Sequence, residues 1–329
     1  MRLLVEALRD PARVAGLDAA GWTALLCAAR AEQLIGSLAC RLEGQPMPEA
    51  AAKILADARR GADQGQVHAR WEAEMARRAL APLGIPTILL KGTAFAAAGL
   101  DAAAGRFIGD LDIILPRERL DEAEAALLAA GWEWVKDDPY DSDYYRRWMH
   151  ELPPLIHRER DRMIDVHHTV LPPTAKPTPD AAGMIADSVP VEGGLRMFAP
   201  NDMIVHAAAH LFADGDLAGG LRNLWDIDRL LRQFGSDGLR ARARHHQLEA
   251  ATARALRLAA FLYGTPVASG SLTLVDRLYV RRLLARDGWG RKTRKLTRFA
   301  FYVRSHWIRM PPLMLARHLW IKWRRGAAG

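Results

Sequence analysis

The segment RFIGDLDIILP, residues 106–116, places two aspartates at the mouth of an apolar run. The run itself is typical of a buried strand, and Asp110 and Asp112 are two positions apart. Side chains at positions i and i+2 of a strand point to the same face, so the two carboxylates are expected side by side. Like charges that close raise each other's pKa and destabilise a protein unless a cation or a donor neutralises them. The segment therefore predicts a strand that starts at a site for a neutralising partner.

The sequence around this strand predicts a small α/β unit. Upstream, GIPTILLKGTAFAAAGL indicates a strand over residues 87–90, a Gly-Thr step at Gly92 and Thr93, and an Ala-rich helix. Downstream, RERLDEAEAALLAAG predicts a helix and WEWV a third strand. The segment PLIHRERDRMIDVHHTV predicts a hairpin that turns near Asp161 and carries Asp165 in its second strand.

Helical sequence lies on both sides of this unit. Residues 1–80, rich in Ala, Leu and Arg at helical spacing, predict an N-terminal helical region, and residues 81–172 hold the α/β core. The Pro-rich LPPTAKPTPD indicates a linker into a C-terminal helical domain with a basic tail, residues 173–329. A chain of 329 residues is long enough for two or three substructures.

Composition indicates which partners and which cellular location to expect. The formal net charge of +8 favours an anionic partner, whether nucleotide, nucleic acid or membrane surface. The two cysteines, Cys27 and Cys40, show no metal or redox spacing, so a reducing cytoplasm is the expected location. No apolar run approaches the roughly 18 residues of a spanning helix, and we expect neither a signal peptide nor a membrane span.

The three acids and the Gly-Thr step suit phosphoryl transfer. Two-metal transfer needs carboxylates that converge on cations about 3.5–4 Å apart, and Asp110, Asp112 and Asp165 have that chemistry. The stretch LLKGTA adds Gly92, where the protein backbone could approach a phosphate closely. Gly92 and Thr93 begin a predicted helix whose amides would donate to a phosphate. Without a cation the acids repel, so replacing one by Asn should keep or improve stability.

Five motifs together resemble a known family. LKGTA, RFIGDLDIIL, MIDVHH, HAAAH and LWDIDRLL are similar to the uncharacterised nucleotidyltransferases of the DNA polymerase β-type superfamily, over roughly residues 20–310. The resemblance implies an α+β fold, with a small mixed-sheet nucleotidyltransferase core flanked by N-terminal and C-terminal helical regions. It also implies that Asp110, Asp112 and Asp165 hold Mg²⁺ or Mn²⁺ and that a nucleoside monophosphate passes from an NTP to an acceptor. The acceptor, whether RNA, protein, peptide or small molecule, stays open.

Four further groups are candidates for holding the nucleotide. Lys91, Gly92, Thr93 and Arg106 flank the acids in sequence and would bind the triphosphate. Lys91 is alternatively a solvated strand end, and Arg106 alternatively pairs with Asp101.

Histidines form a second group of candidates. His150, His167, His206 and His210 are expected to line an acceptor pocket, with at least one of them an ordinary core histidine. A zinc site at His206 and His210 is the less favoured alternative, because no Cys or His-Glu-x-x-His pattern accompanies them.

The basic segment near the end of the sequence indicates a different kind of function. Residues 291–325 hold eleven Lys or Arg and no acid, and their apolar residues fall near helical spacing. Such a run is usually a solvated face, but a basic amphipathic helix also binds anionic membranes or RNA. A membrane- or RNA-associated scaffold is therefore one alternative. An inactive nucleotide-binding or regulatory protein is another, because Thr93 replaces the usual Gly or Ser and sixteen residues separate it from Asp110.

Overall fold

The structure, a computed structural model, describes residues 1–136, 138–213, 215–309 and 320. One mixed β-sheet lies among α-helices in these residues, so the fold is α+β and the expected fold class is confirmed. Part of the predicted basic tail, residues 310–319 and 321–325, lies outside the described residues. In the described ranges no helix combines the length and the apolar character that crossing a membrane requires.

The sheet has the strand order β3-β4-β5-β2-β1-β7-β6. β2 pairs with β5 and β1 with β7 in parallel, and the remaining neighbours are antiparallel. The strands are β1 Ile88–Leu89, β2 Asp110–Ile114, β3 Trp132–Trp134, β4 Leu155–His157, β5 Met163–His167, β6 Val189–Pro190 and β7 Arg196–Met197.

Helices pack around the sheet from both ends of the chain. The long α4 contacts β2, α5 and α6, while α9, α10 and α12 pack on one another and α1 contacts α12. The helices are α1 Arg2–Arg9, α2 Ala19–Ala31, α3 Ile35–Arg41, α4 Glu49–Leu80, α5 Lys91–Ala97, α6 Leu120–Ala129, α7 Pro139–Trp148, α8 Ala181–Ala186, α9 Pro200–Ala213, α10 Gly220–Phe234, α11 Leu239–His245, α12 Glu249–Tyr263, α13 Leu274–Leu283 and α14 Lys295–Arg309.

One apolar core joins these layers. It includes Leu4 of α1, Ile88 and Ile113 of the sheet, and Leu224 of α10, all fully buried. β6 and β7 follow residue 172 and still join the sheet beside β1, so the sheet extends beyond the expected end of the α/β core. The division of the chain at residues 80 and 172 remains a proposal.

Two turns near the sheet depend on unusual backbone geometry. β1 is shorter than the expected residues 87–90, because Lys91 adopts a left-handed φ of +47° that turns the chain into α5. Asp161 has a φ of +54° between β4 and β5, where the sequence predicted the hairpin turn. The first of these turns places the start of α5 next to the start of β2.

Candidate active site

Pairing of β2 with β5 brings the three predicted acids together. Asp112 and Asp165 are direct partners in the parallel register, and Asp110 lies two residues earlier on the same face of β2. One carboxylate oxygen from each of the three residues lies within 4.8 Å of the others. Such a set of hard oxygen ligands fits Mg²⁺ or Mn²⁺.

The buried acid of the cluster, Asp112, is held in its charged form. Its Oδ1 atom lies 2.6 Å from Nζ of Lys91 and 3.0 Å from Nε2 of His167. Burial acts to raise the pKa of Asp112, but Lys91 and His167 outweigh it and hold this pKa below its usual value. Burial likewise acts to lower the pKa of Lys91, and the attraction of Asp112 raises it above the usual value.

The other two acids are in the opposite situation. Burial, followed by the charges of neighbouring carboxylates, raises the pKa of Asp165 to about 7. Burial and the charge of Asp112 also raise the pKa of Asp110. The expectation that an Asn replacement keeps or improves stability therefore applies to Asp110 and Asp165. It does not apply to Asp112, whose charge neutralises the partly buried Lys91.

The backbone at the end of β1 directs Lys91 into this cluster. The amide of Leu90 donates to the carbonyl of Asp112 at 2.9 Å, and the left-handed turn at Lys91 follows immediately. A non-glycine residue in that region costs on the order of 1–2 kcal/mol, which the ion pair with Asp112 offsets. Lys91 is thus part of the acid cluster and not a solvated strand end.

Gly92 and Thr93 form the first turn of α5 behind Lys91. A Cβ atom at Gly92 would lie 2.5 Å from Nε of Arg106, so glycine is needed for the close approach of that side chain. The side chain of Thr93 is buried, and its hydroxyl has no hydrogen-bond partner within the described ranges. Any contact of this turn with a phosphate would therefore come from its backbone amides.

Arg106 pairs with a helix of the C-terminal region and not with Asp101. Its Nη1 donates to Oδ2 of Asp226 on α10 at 2.7 Å, and its guanidinium lies 5.9 Å from the centre of the Phe95 ring. The buried Arg222 also donates to Asp226, and to Oγ of Ser37 at 2.6 Å. Asp226 of α10 therefore pairs with two arginines. Arg106 lies against α5, and Arg222 reaches Ser37 of α3.

A cleft with about 500 Å³ of empty space opens beside Lys91 and Arg106. Its apolar wall contains Phe95 and Phe198, and its polar wall consists of Lys91, Arg106, His206, His210, Asn223 and Asp226. Burial, followed by the charges of Lys91 and His167, lowers the pKa of His206 to about 3, so its imidazole is neutral near pH 7. The structure thus places His206 and His210 in a cleft wall next to the acids.

The other two candidate histidines, His150 and His167, are not among the residues that line this cleft. His150 and His167 join Glu151 in a separate cluster, in which one ligand atom from each lies within 4.8 Å of the others. Glu151 and Asn223 were not among the candidates from the sequence, because neither lies in a recognisable motif. Among the described residues, the two groups that could hold a metal ion do not include His206 or His210.

Comparison with models of protein families shows which family the chain belongs to. The model of the uncharacterised nucleotidyltransferases matches residues 18–264, which include the acids, the Gly-Thr step and the cleft. The chain belongs to this family. The family resemblance seen in the motifs is therefore confirmed, while α13 and α14 lie beyond the matched residues. A search of the curated proteins found no match.

Proposed function

We propose that this protein is a metal-dependent transferase that moves a nucleoside monophosphate from an NTP to an acceptor. Asp110, Asp112 and Asp165 would hold Mg²⁺ or Mn²⁺. One observation carries the proposal: three carboxylates converge at the start of β2, next to a cleft that contains two cationic side chains. When bound, such cations stabilise the charge that develops on the attacking and leaving oxygens.

The residues of this chain would position the nucleotide. Lys91 and Arg106 place two positive charges at the cleft, where the triphosphate needs neutralisation. Gly92 lets Arg106 lie against the first turn of α5, and we propose that the guanidinium and the amides of that turn bind the triphosphate together. Both contacts of Asp112 use Oδ1, which leaves its second oxygen for a cation.

The side chains that line the cleft indicate which part of a substrate it would contact. Phe95 and Phe198 would offer apolar contact to a base or a similar ring. We propose that the neutral His206 and Asn223 donate or accept hydrogen bonds there. A larger acceptor, whether RNA, protein or peptide, would insert one group only.

An inactive nucleotide-binding protein of the same fold is the second candidate. The ion pair between Lys91 and Asp112 favours it, because the lysine already neutralises the central metal-binding carboxylate. A regulatory protein would keep nucleotide binding without turnover.

An anionic surface is a further candidate partner. Phe301 of α14 packs on Tyr279 with ring centres 5.0 Å apart, which anchors one face of this helix. The opposite stripe is exposed, with Phe299 64% and Trp307 68% accessible, and four arginines or lysines lie along the same helix, among them Arg298. Aromatic residues on a basic helix suit the headgroup region of an anionic membrane.

Cysteine chemistry bears on the location that we propose. Cys27 and Cys40 are unpaired in the structure, and both are partly buried. Free thiols persist in reducing compartments, so we retain the cytoplasm as the proposed location.

The experiment that tests the transfer uses each labelled NTP with Mg²⁺ or Mn²⁺ and a cell extract. Wild-type protein should transfer label to a fraction of the extract and release pyrophosphate, and Asp110→Asn should reduce both at least a hundredfold. Asp121→Asn is the matched control, because this acid is exposed on α6. Equal labelling by the Asp110 variant would exclude the metal role, and nucleotide binding without labelling would support the inactive candidate.

A further inference from the structure

A second group of potential ligands lies on the far side of His167 from the acids. The segment containing His150 and Glu151 pairs in antiparallel fashion with the end of β5, where Glu151 faces His167. Two backbone hydrogen bonds of 2.9 Å hold this pairing, from His168 to His150 and from Leu152 to Val166. The three side chains therefore project from a rigid backbone frame.

The distances between the ligand atoms of this group are longer than hydrogen bonds. Nδ1 of His167 lies 3.5 Å from Oε2 of Glu151, and Nε2 of His150 lies 3.7 Å from the same oxygen. Hydrogen bonds between such groups are about 2.7–3.2 Å long. Ligands bound tetrahedrally at about 2.0–2.2 Å from a zinc ion are separated by roughly 3.3–3.6 Å. The observed spacing is thus nearer to a set of metal ligands than to a hydrogen-bonded triad.

The surroundings of His167 fit the same interpretation. A histidine that binds metal through one nitrogen usually donates its other N–H to a carboxylate. His167 has this arrangement, because its Nε2 lies 3.0 Å from Asp112 while its Nδ1 faces Glu151. On His150, the buried Nδ1 has no hydrogen-bond partner in the part of the chain that the structure describes. The His150 ring instead lies 5.1 Å from the His167 ring, centre to centre.

We propose that His150, Glu151 and His167 form a binding site for a divalent transition-metal ion, with Zn²⁺ as the ion that fits best. Two imidazoles and one carboxylate favour such an ion over Mg²⁺, which prefers oxygen ligands. The side chains of His150 and Glu151 are each 19% exposed, and that of His167 is 2% exposed. A fourth coordination position is thus accessible to water.

His167 links this site to the acid cluster. Binding through Nδ1 leaves the proton on Nε2, which then donates to Asp112 and orients its carboxylate. Glu151 and His150 would thereby act as positioning residues for Asp112. The inference does not depend on nucleotide transfer, because the metal ligands themselves are what is tested.

The test is a Co²⁺ titration of the full chain, freed of metal by a chelator and followed by visible absorption. Wild-type protein should bind one equivalent with the d–d bands of a low-coordinate nitrogen and oxygen site, and Zn²⁺ should displace it. Glu151→Gln and His150→Gln should each weaken binding at least tenfold. Glu151→His should retain binding with a shifted band, because it keeps a ligand at that position.

Two controls separate this site from the others. His210→Gln should keep the band, because His210 lies in the cleft wall. Asp165→Asn should keep the band while it weakens Mn²⁺ binding at the acid cluster. The inference fails if both Glu151→Gln and His150→Gln retain wild-type affinity, if wild type shows no band, or if His210→Gln abolishes it. Circular dichroism of each variant verifies that it is folded.

Discussion

Asp112 on β2 and Asp165 on β5 are direct partners in a parallel pair of strands, with their side chains on one face of the sheet. A parallel pair needs a crossover connection, which here contains α6, β3, α7 and β4. The acid cluster is therefore assembled by the tertiary fold across a long stretch of chain. Several measurable consequences depend on this arrangement.

Asn replacements of these two partners should have opposite effects on stability. Asp165→Asn should raise the free energy of unfolding at neutral pH by roughly 1–2 kcal/mol, because it removes a carboxylate crowded by two others. Asp112→Asn should lower it by roughly 2–4 kcal/mol, because it leaves the partly buried Lys91 beside a neutral group. Urea unfolding without divalent cations measures both. A loss of stability in Asp165→Asn would contradict the repulsion between these acids.

Gly92→Ala should disturb the position of Arg106. The added Cβ would meet Nε of Arg106 at 2.5 Å, and Asp226 holds that guanidinium in place. We expect the free energy of unfolding to fall by about 1–3 kcal/mol, as in other overpacked sites, and nucleotide affinity to fall with it. Gly16→Ala is the control, because nothing lies within 4 Å of its added Cβ. Equal behaviour of the two variants would mean that Arg106 moves aside without cost.

Removing the charge of Asp226 should be strongly destabilising. Asp226→Asn leaves the guanidinium groups of Arg106 and Arg222 without their shared carboxylate, although their side chains are only 14% and 5% exposed. The expected loss is about 3–5 kcal/mol, measured by urea unfolding. Glu49→Gln, which breaks an exposed pair with Lys53, should cost less than about 1 kcal/mol. A similar cost for both variants would refute a structural role for the Asp226 network.

His206 should make the fold sensitive to acid. Its pKa is lowered by burial to about 3 in the folded state, below the value of 6.5 for a free histidine. Its stabilising contribution is therefore complete above pH 6.5 and is lost as the pH falls from 6.5 towards 3. His206→Gln should lose about 2 kcal/mol less stability between pH 7 and pH 4.5 than wild type. An unchanged slope in His206→Gln would disprove the prediction.

The exposed stripe of α14 should govern binding to anionic vesicles. Phosphatidylserine vesicles should bind the wild-type chain at low salt and release it steeply towards physiological salt. The double variant Phe299→Ser with Trp307→Ser should weaken binding at least tenfold and leave the melting temperature unchanged, because both side chains are exposed. Val67→Ser, an exposed apolar site on α4, is the matched control. If vesicle binding does not depend on salt and is unchanged in both variants, the exposed stripe of α14 is not the binding surface.

Local sequence alone determined the elements and the family of this protein. The apolar run that contains Asp112 predicts β2, the turn near Asp161 predicts the β4–β5 hairpin, and the motifs indicate the nucleotidyltransferase family, because apolar patterning, turn chemistry and motif spacing are local properties. Candidate acids could be named for the same reason.

Only the tertiary structure decided which side chains meet. Lys91 neutralises Asp112 because a left-handed turn directs it into the acid cluster, and no local pattern specifies that conformation. Arg106 pairs with Asp226 and not with the nearby Asp101, and Glu151 meets His167 through strand pairing. These partners are far apart in sequence. Their contacts follow from the packing of α10 and β5. A charge that is removed from water on folding destabilises the protein unless an opposite charge pairs with it.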